Sequence, residues 1–229
     1  MMGTLYIVAT PIGNLKDITY RAIEILGSVD YILCEDTRIT GKLLSHYGIK
    51  KRLVSFNEFN ENFKSDSTIN DLSVGKSIAL LSDAGSPLIS DPGYKLVREC
   101  ISKGIKVEAI PGPSAAISAL TVSGLPPDKF LFLGYLSKKQ GKRKETLRSL
   151  FTILPSMKDK ELRSTVIIYE SPYRLVTTLQ DLQEIFGDID IVVCRELTKM
   201  HEEVRREKVS ESTRHFSKIP PKGEFTILF

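Results

Sequence analysis

Short apolar runs rich in β-branched residues recur along the chain and alternate with stretches of helical period. The runs are Leu5–Ala9, Tyr31–Cys34, Ile78–Leu81, Val107–Ile110, Phe130–Leu133, Val166–Tyr169, Ile189–Cys194 and Phe225–Phe229. Several are continuous rather than alternating, which is the pattern of strands buried on both faces in parallel or mixed sheets covered by helices. Between them, Ala22, Ile23, Ile25 and Leu26 predict a helix starting near Thr19 and stopping at Gly27. Leu96, Val97, Cys100 and Ile101 predict a second after Asp91-Pro92-Gly93, and Ala115, Ala116 and Ala119 a third from Ser114 to Gly124. A long helix is predicted over about Tyr173–Phe186. The fold class is α/β.

Gly124-Leu125-Pro126-Pro127-Asp128 is the strongest break in this pattern, because two prolines end the preceding helix and stiffen the link. It predicts two α/β domains, residues 1–122 and 123–229. At 229 residues, 41% hydrophobic and 26% charged, the chain can bury a substantial core. No apolar run approaches the ~20 residues that span a bilayer, so no membrane partner is expected. Met1-Met2-Gly3-Thr4-Leu5 has no basic lead, so no secretory signal is expected either. Three widely spaced cysteines (Cys34, Cys100 and Cys194) form neither a disulfide framework nor a metal motif, and they suit a reducing, cytoplasmic setting.

Net charge is only +4, from 32 Lys and Arg against 28 Asp and Glu. Five of the cations lie in Lys138–Lys144, and without them the remainder stands at −1. That run, expected as a loop or a helix start, is where a phosphate backbone would be gripped. Arg205, Arg206 and Lys208 form a weaker second cluster.

Common ligand motifs are missing. No GxGxxG follows a strand, Gly75-Lys76-Ser77 has Asn70 where a phosphate loop needs its first glycine, and no second histidine follows His201-Glu202 at zinc-protease spacing. Pro111-Gly112-Pro113-Ser114 departs from a nucleophile elbow, and Ser114 reads better as the cap of a helix of small residues. Three turns of one type follow strands instead. They are Thr10-Pro11-Ile12-Gly13-Asn14, Ser82-Asp83-Ala84-Gly85-Ser86-Pro87, and the turn at Ser114. Open α/β sheets hold ligands at such strand ends, and convergence of the three on one crevice is expected. Asp83 would accept hydrogen bonds from ribose hydroxyls or an amine there. Glu35-Asp36-Thr37-Arg38 closes another strand, as an ion pair with a helix cap at Thr40 or as the frame of a polar site.

Several segments together carry a resemblance. They are Ile7–Thr19, Cys34–Arg38, Leu81–Pro87 with Asp91–Gly93, and Pro111–Ser114, together with Tyr169–Pro172 and Arg174, Arg195–Lys199, and Lys222–Phe225. The chain resembles the tetrapyrrole methylase superfamily of class III methyltransferases, and within it the 16S rRNA cytidine 2′-O-methyltransferases. The resemblance runs in order from residue 4 to the C-terminus. It implies two α/β domains with S-adenosylmethionine in the cleft between them, usually in a homodimer. It implies 2′-O-methylation of a cytidine in helix 44, the decoding region, on 16S rRNA or the assembled small subunit. It also implies cofactor contacts at Pro11, Asp83, Pro87, Ile89, Ser114, Ala115, Glu170 and Leu197. Asn57 and Phe59 stand where members often carry histidines, and Phe229 precedes the C-terminal extension of some members.

Methyl transfer from a sulfonium is an in-line displacement that needs no metal. The enzyme must align the two reacting atoms and help remove a hydroxyl proton. Glu35, Asp36, Glu58 and Glu196 are candidate proton acceptors, with Arg38 and Lys199 to hold phosphate. Methylation of a tetrapyrrole (a cobalamin or sirohaem precursor) is the alternative, and the basic run favours RNA over it. A non-catalytic RNA-binding factor would leave the clustered turns unexplained.

Overall fold

A computed structural model describes residues 2–159, 162–218 and 220–229, with the side chains of residues 158 and 159 undescribed. The chain divides into two compact units, Met1–Ser114 and Ala115–Phe229.

The first unit carries strands β1 (Thr4–Val8), β2 (Tyr31–Cys34), β3 (Arg52–Ser55), β4 (Ile78–Leu81) and β5 (Lys106–Ile110), with helices α1 (Tyr20–Ser28), α2 (Thr37–His46), α3 (Glu61–Ser73) and α4 (Tyr94–Ser102). The strands form one sheet of order β3-β2-β4-β1-β5, parallel throughout. Parallel pairing requires helical crossovers, and the helices cover both faces. On one face Leu33, Ile78 and Leu80 pack with Ile69 and Leu72 of α3 and Leu96 and Cys100 of α4. On the other, Ile32, Cys34, Ala79 and Leu81 pack with Ala22 and Leu26 of α1 and Leu44 of α2. Strands β2 and β4 are thus buried at every position, which is why they read as unbroken apolar runs.

The second unit carries α5 (Ala115–Ser123), β6 (Phe130–Tyr135), α6 (Gln140–Asp159), β7 (Thr165–Glu170), α7 (Leu175–Phe186), β8 (Asp190–Arg195), β9 (Glu203–Lys208), α8 (Val209–Lys218) and β10 (Phe225–Leu228). Its sheet has order β6-β7-β10-β8-β9, with only β6 and β7 parallel. Leu147 and Leu150 of α6, Leu175, Leu179 and Leu182 of α7 and Phe216 of α8 meet Val166, Ile168, Val193 and Ile227 in one core. Helix α5 packs on β7, β9 and β10. The boundary expected at residues 122 and 123 falls at the end of this helix, whereas the compact units part at its start. Among the described residues no helix is long and apolar enough to cross a membrane.

Of the two readings of the run from Lys138 to Lys144, a loop or a helix start, the structure shows the helix start, with Gln140 opening α6. Arg143 is buried there, its Nη2 2.6 Å from Asp181 Oδ2, and Lys144 pairs with Glu184 and, at 3.6 Å, with Asp181. The second cluster is also internally satisfied. Arg205 bridges Glu203 and Glu207, Lys208 pairs with Asp190 at 2.9 Å, and Arg206 donates to the carbonyls of Val122 and Ser123 that end α5. A guanidinium on the last carbonyls of a helix caps it and opposes its dipole.

Candidate functional site

The site of the first unit is built at the carboxyl ends of its strands. Because β4, β1 and β5 are neighbours, the turns at their ends meet. Thr10 and Gly85 exchange backbone hydrogen bonds of 2.8 and 3.1 Å, and the Ser86 hydroxyl donates to the Pro113 carbonyl at 3.3 Å. The Ala9 amide donates to the Ile110 carbonyl at 3.1 Å. Small residues are obligatory at this crossing. Gly85 has φ +78°, and a Cβ on Gly112 would lie 2.9 Å from that of Ala9. Pro11 and Pro87 are buried here and Ile89 is exposed. Leu88 and Ser90 both take left-handed backbone, φ 71° and 72°, a conformation costly for a residue with a Cβ.

Beside these turns, on the β3-β2-β4 side, lies a carboxylate cluster. Asp36 begins α2, where its Oδ1 accepts the Arg38 amide at 2.8 Å and Oδ2 meets Arg38 Nη2 at 2.6 Å. The helix therefore starts at Thr37, not at Thr40. The Arg38 hydrogen bonds hold the Asp36 carboxyl down at about 2, and Asp36 in turn raises Arg38. The Asp36 amide donates to Asp83 Oδ1 at 3.0 Å. The other oxygen of Asp83 has no donor among the described residues. Burial, then the charge of Asp36, pushes the Asp83 carboxyl up despite that amide. Burial raises Glu35, with Asp83, Glu58 and Asp36 adding to it. Asp91, expected from the sequence only to precede a helix, is pushed up to about 6 by burial and by Glu35. A sequence signal for it exists, as the second acid, after Asp83, in a loop full of prolines and glycines. Among the described residues no three acids, histidines or cysteines are placed to hold a metal ion.

Glu58 stays exposed in the turn after β3. Its neighbours are structural. Asn60 Oδ1 accepts the Asn57 amide at 2.9 Å, and the buried Glu61 accepts the Gly93 amide at 3.1 Å, tying α3 to the start of α4. Ser114, half-buried, closes the first unit.

In the second unit Ala115 opens α5, and the next amide, that of Ala116, donates to the Tyr169 hydroxyl at 3.1 Å. Glu170 ends β7 with its side chain wholly buried. The Ser171 amide, the Thr178 hydroxyl and Arg174 occupy its carboxylate at 2.7, 2.6 and 2.7 Å, so its charge is committed within the unit. Leu197 is buried between Glu196 and Thr198, both with positive φ. Lys199 sits 2.9 Å from Glu196 and 2.8 Å from Glu224. Burial alone would lower its pKa, but the two carboxylates outweigh it and the ammonium is raised, so the cation expected to hold phosphate is already paired within the unit.

A family model of the tetrapyrrole (corrin/porphyrin) methylases matches residues 4–213. The chain is 50% identical over 227 residues to the ribosomal RNA small subunit methyltransferase I of Thermotoga maritima, covering 99% of this chain and 98% of that one. It is 46% identical over 226 residues to the protein of that name from Halalkalibacterium halodurans, covering 99% of this chain and 75% of the relative. Among solved structures it is similar to diphthine synthase, with TM-score 0.74 and 16% identity over 99% of this chain and 90% of that one, a likeness of fold.

Proposed function

As this chain belongs to the tetrapyrrole (corrin/porphyrin) methylase family, we propose that it is an S-adenosylmethionine-dependent methyltransferase of small-subunit ribosomal RNA. The finer assignment is the 2′-oxygen of a cytidine in helix 44 of 16S rRNA, in free or assembled form, by a homodimer. The observation that carries this reading is the 50% identity to a small-subunit rRNA methyltransferase across 99% of the chain.

The residues present suit the cofactor. S-adenosylmethionine supplies a methyl already activated by a sulfonium charge. Asp83 offers a ribose hydroxyl or an ammonium one carboxylate oxygen that has no donor among the described residues, and it follows the same strand as the turn that meets Thr10 and Pro113. Pro11, Pro87, Ile89 and Ser114 belong to the same strand-end turns. Ala115, Glu170 and Leu197 of the second unit complete the proposed contacts.

The proton of the attacking hydroxyl is assigned to Glu35. An acceptor works best with a pKa nearer the working pH than an exposed carboxyl has, and burial with three acidic neighbours moves Glu35 that way. Asp36 is the weaker base, since the Arg38 hydrogen bonds hold its carboxyl down at about 2. Arg38, whose side chain is largely exposed, is left to meet phosphate.

The test is transfer of labelled methyl from S-adenosylmethionine to 16S rRNA, to small subunits and to a tetrapyrrole. The labelled RNA is then hydrolysed in alkali, since a 2′-O-methyl blocks cleavage at its own phosphodiester. Label on RNA with one alkali-resistant cytidine is expected. Label on the tetrapyrrole alone would overturn the proposal.

A further inference from the structure

The second unit holds a groove of about 490 Å³ lined by Pro172, Tyr173, Val176, Pro220, Pro221, Lys222 and Gly223. Its volume is in the range of small-ligand sites. Tyr173 stands at the turn into α7 with 95% of its surface exposed. No hydrogen bond or ring contact involves it among the described residues, so packing does not account for an aromatic there. Prolines add rigid apolar walls. Lys222 is exposed and has no carboxylate partner among the described residues, whereas the nearby cations Arg174, Arg195 and Lys199 are all ion-paired.

The floor of the groove is fixed before any ligand arrives. Gly223 has φ +95°, and a Cβ there would overlap the Glu196 side chain. The Glu224 amide donates to Glu196 Oε1 at 3.0 Å, and Arg195 Nε donates to the Lys222 carbonyl at 2.8 Å. Glu196 itself sits at φ 49°, so the fold spends backbone strain to hold this segment. The opposite wall is set by the Arg174 and Leu175 amides, both donating to the Ser171 carbonyl at 3.1 Å.

We propose that this groove holds one unpaired nucleotide of the RNA substrate, its base stacked on the Tyr173 ring and its phosphate paired with the Lys222 ammonium. An exposed ring on a rigid support beside an uncommitted cation is the arrangement that binds single-stranded nucleic acid, because every base has a stacking face and every linkage a negative charge. The assignment rests on the proposed rRNA function and adds to it a site for a flanking nucleotide.

The test is fluorescence anisotropy with a short unstructured oligocytidine, for the wild-type chain, Tyr173→Phe, Tyr173→Ala and Lys222→Ala. Affinity for S-adenosylmethionine and the melting curve are measured on the same samples. Tyr173→Phe should bind as wild type, and Tyr173→Ala should lose roughly 5- to 150-fold. Lys222→Ala should lower the slope of log affinity against log salt by about 0.7. Cofactor affinity should stay unchanged in all three. Wild-type binding that Tyr173→Ala does not alter would overturn the groove assignment alone. A wild-type chain that neither binds nor methylates RNA would overturn the rRNA function and the groove with it. Loss of self-association in Tyr173→Ala at constant RNA affinity would give the groove to a second copy and overturn the proposal.

Discussion

Replacing Arg143 should damage the fold, although the residue lies in the middle of the most basic run of the chain. Its side chain is 3% exposed and that of Asp181 2%. Arg143 Nε and Nη2 reach Asp181 Oδ2 at 2.7 and 2.6 Å, while Gln140 Nε2 donates to Oδ1 at 3.1 Å and Lys144 Nζ stands 3.6 Å from it. Removing one member of a buried pair leaves the other charge uncompensated, at a cost of about 3 to 5 kcal/mol. Gln140 and Lys144 remain on Oδ1, so Arg143→Ala should lie near the lower end, about 3 kcal/mol, or roughly 6 to 12 °C in melting temperature. Arg143→Met combined with Asp181→Leu should recover most of that loss, because an apolar pair of similar volume carries no desolvation penalty. The contrast is Lys138, Lys139 and Lys142, which are exposed and carry no ion pair among the described residues. Their alanine variants should each melt within about 0.5 kcal/mol of wild type, yet lower the salt slope of RNA binding by up to ~0.9 for each phosphate no longer neutralised. Thermal melts and salt-dependent RNA titrations on the same set decide the matter. Arg143→Ala with an unchanged melt and a reduced salt slope would refute the reasoning.

Asp83→Ala should weaken S-adenosylmethionine binding about 10- to 100-fold, the usual loss for one charge-assisted hydrogen bond; calorimetry showing wild-type affinity in a folded variant would remove Asp83 from the site. Asp91 is raised to about 6 from an unfolded value near 3.9, so the folded chain holds that proton more tightly. Its contribution is full below pH ~4, is lost as pH rises to about 6, and is flat above. Asp91→Asn should therefore gain on wild type between pH 4 and 7, by about 1 to 2 kcal/mol once partial exposure is allowed for, and chemical denaturation at both pH values checks it. Gly93→Ala combines φ +126° with a Cβ 2.7 Å from Leu80 Cδ2, and should cost about 1 to 3 kcal/mol; an unchanged denaturation midpoint would contradict it.

The sequence reveals most where strands are buried on both faces. The runs at β2 and β4 match the observed strands end to end, because every position in them faces a helix layer. Strands β3 and β9 lack that signal. Each pairs with a single neighbour, and β9 consists of Glu203-Val204-Arg205-Arg206-Glu207-Lys208, an edge dressed in charge. Such an edge resists pairing with another chain and so lacks the apolar signature of a strand. Helix α3 is hidden for a related reason, since polar Ser65 and Thr68 are buried on its inner face beside Ile69 and Leu72. The meeting of three turns is legible because all three share one composition. The coupling of Asp91 with Glu35 and Asp83 is not, since it depends on strand order rather than on spacing.

The basic run shows why proximity in sequence is a poor guide to shared purpose. A helix turns about 100° per residue, so a buried stripe on α6 recurs every three or four positions. Arg143, Leu147 and Leu150 are all buried and stand at that spacing. The leucines alone could have marked Arg143 as facing the core, where a charge demands a buried carboxylate, and Asp181 of α7 supplies it. Lys138, Lys139 and Lys142 fall off the stripe. They crowd the positive end of a helix dipole with no acid in its first turn, each unfavourable by about 0.3 kcal/mol for side chains this exposed. Nothing within the described residues offsets that cost. An external anion would, and in the proposed function the RNA phosphates are that anion. The same seven residues therefore hold one cation that builds the fold, one that pairs across two helices, and three exposed ones with no ion pair among the described residues.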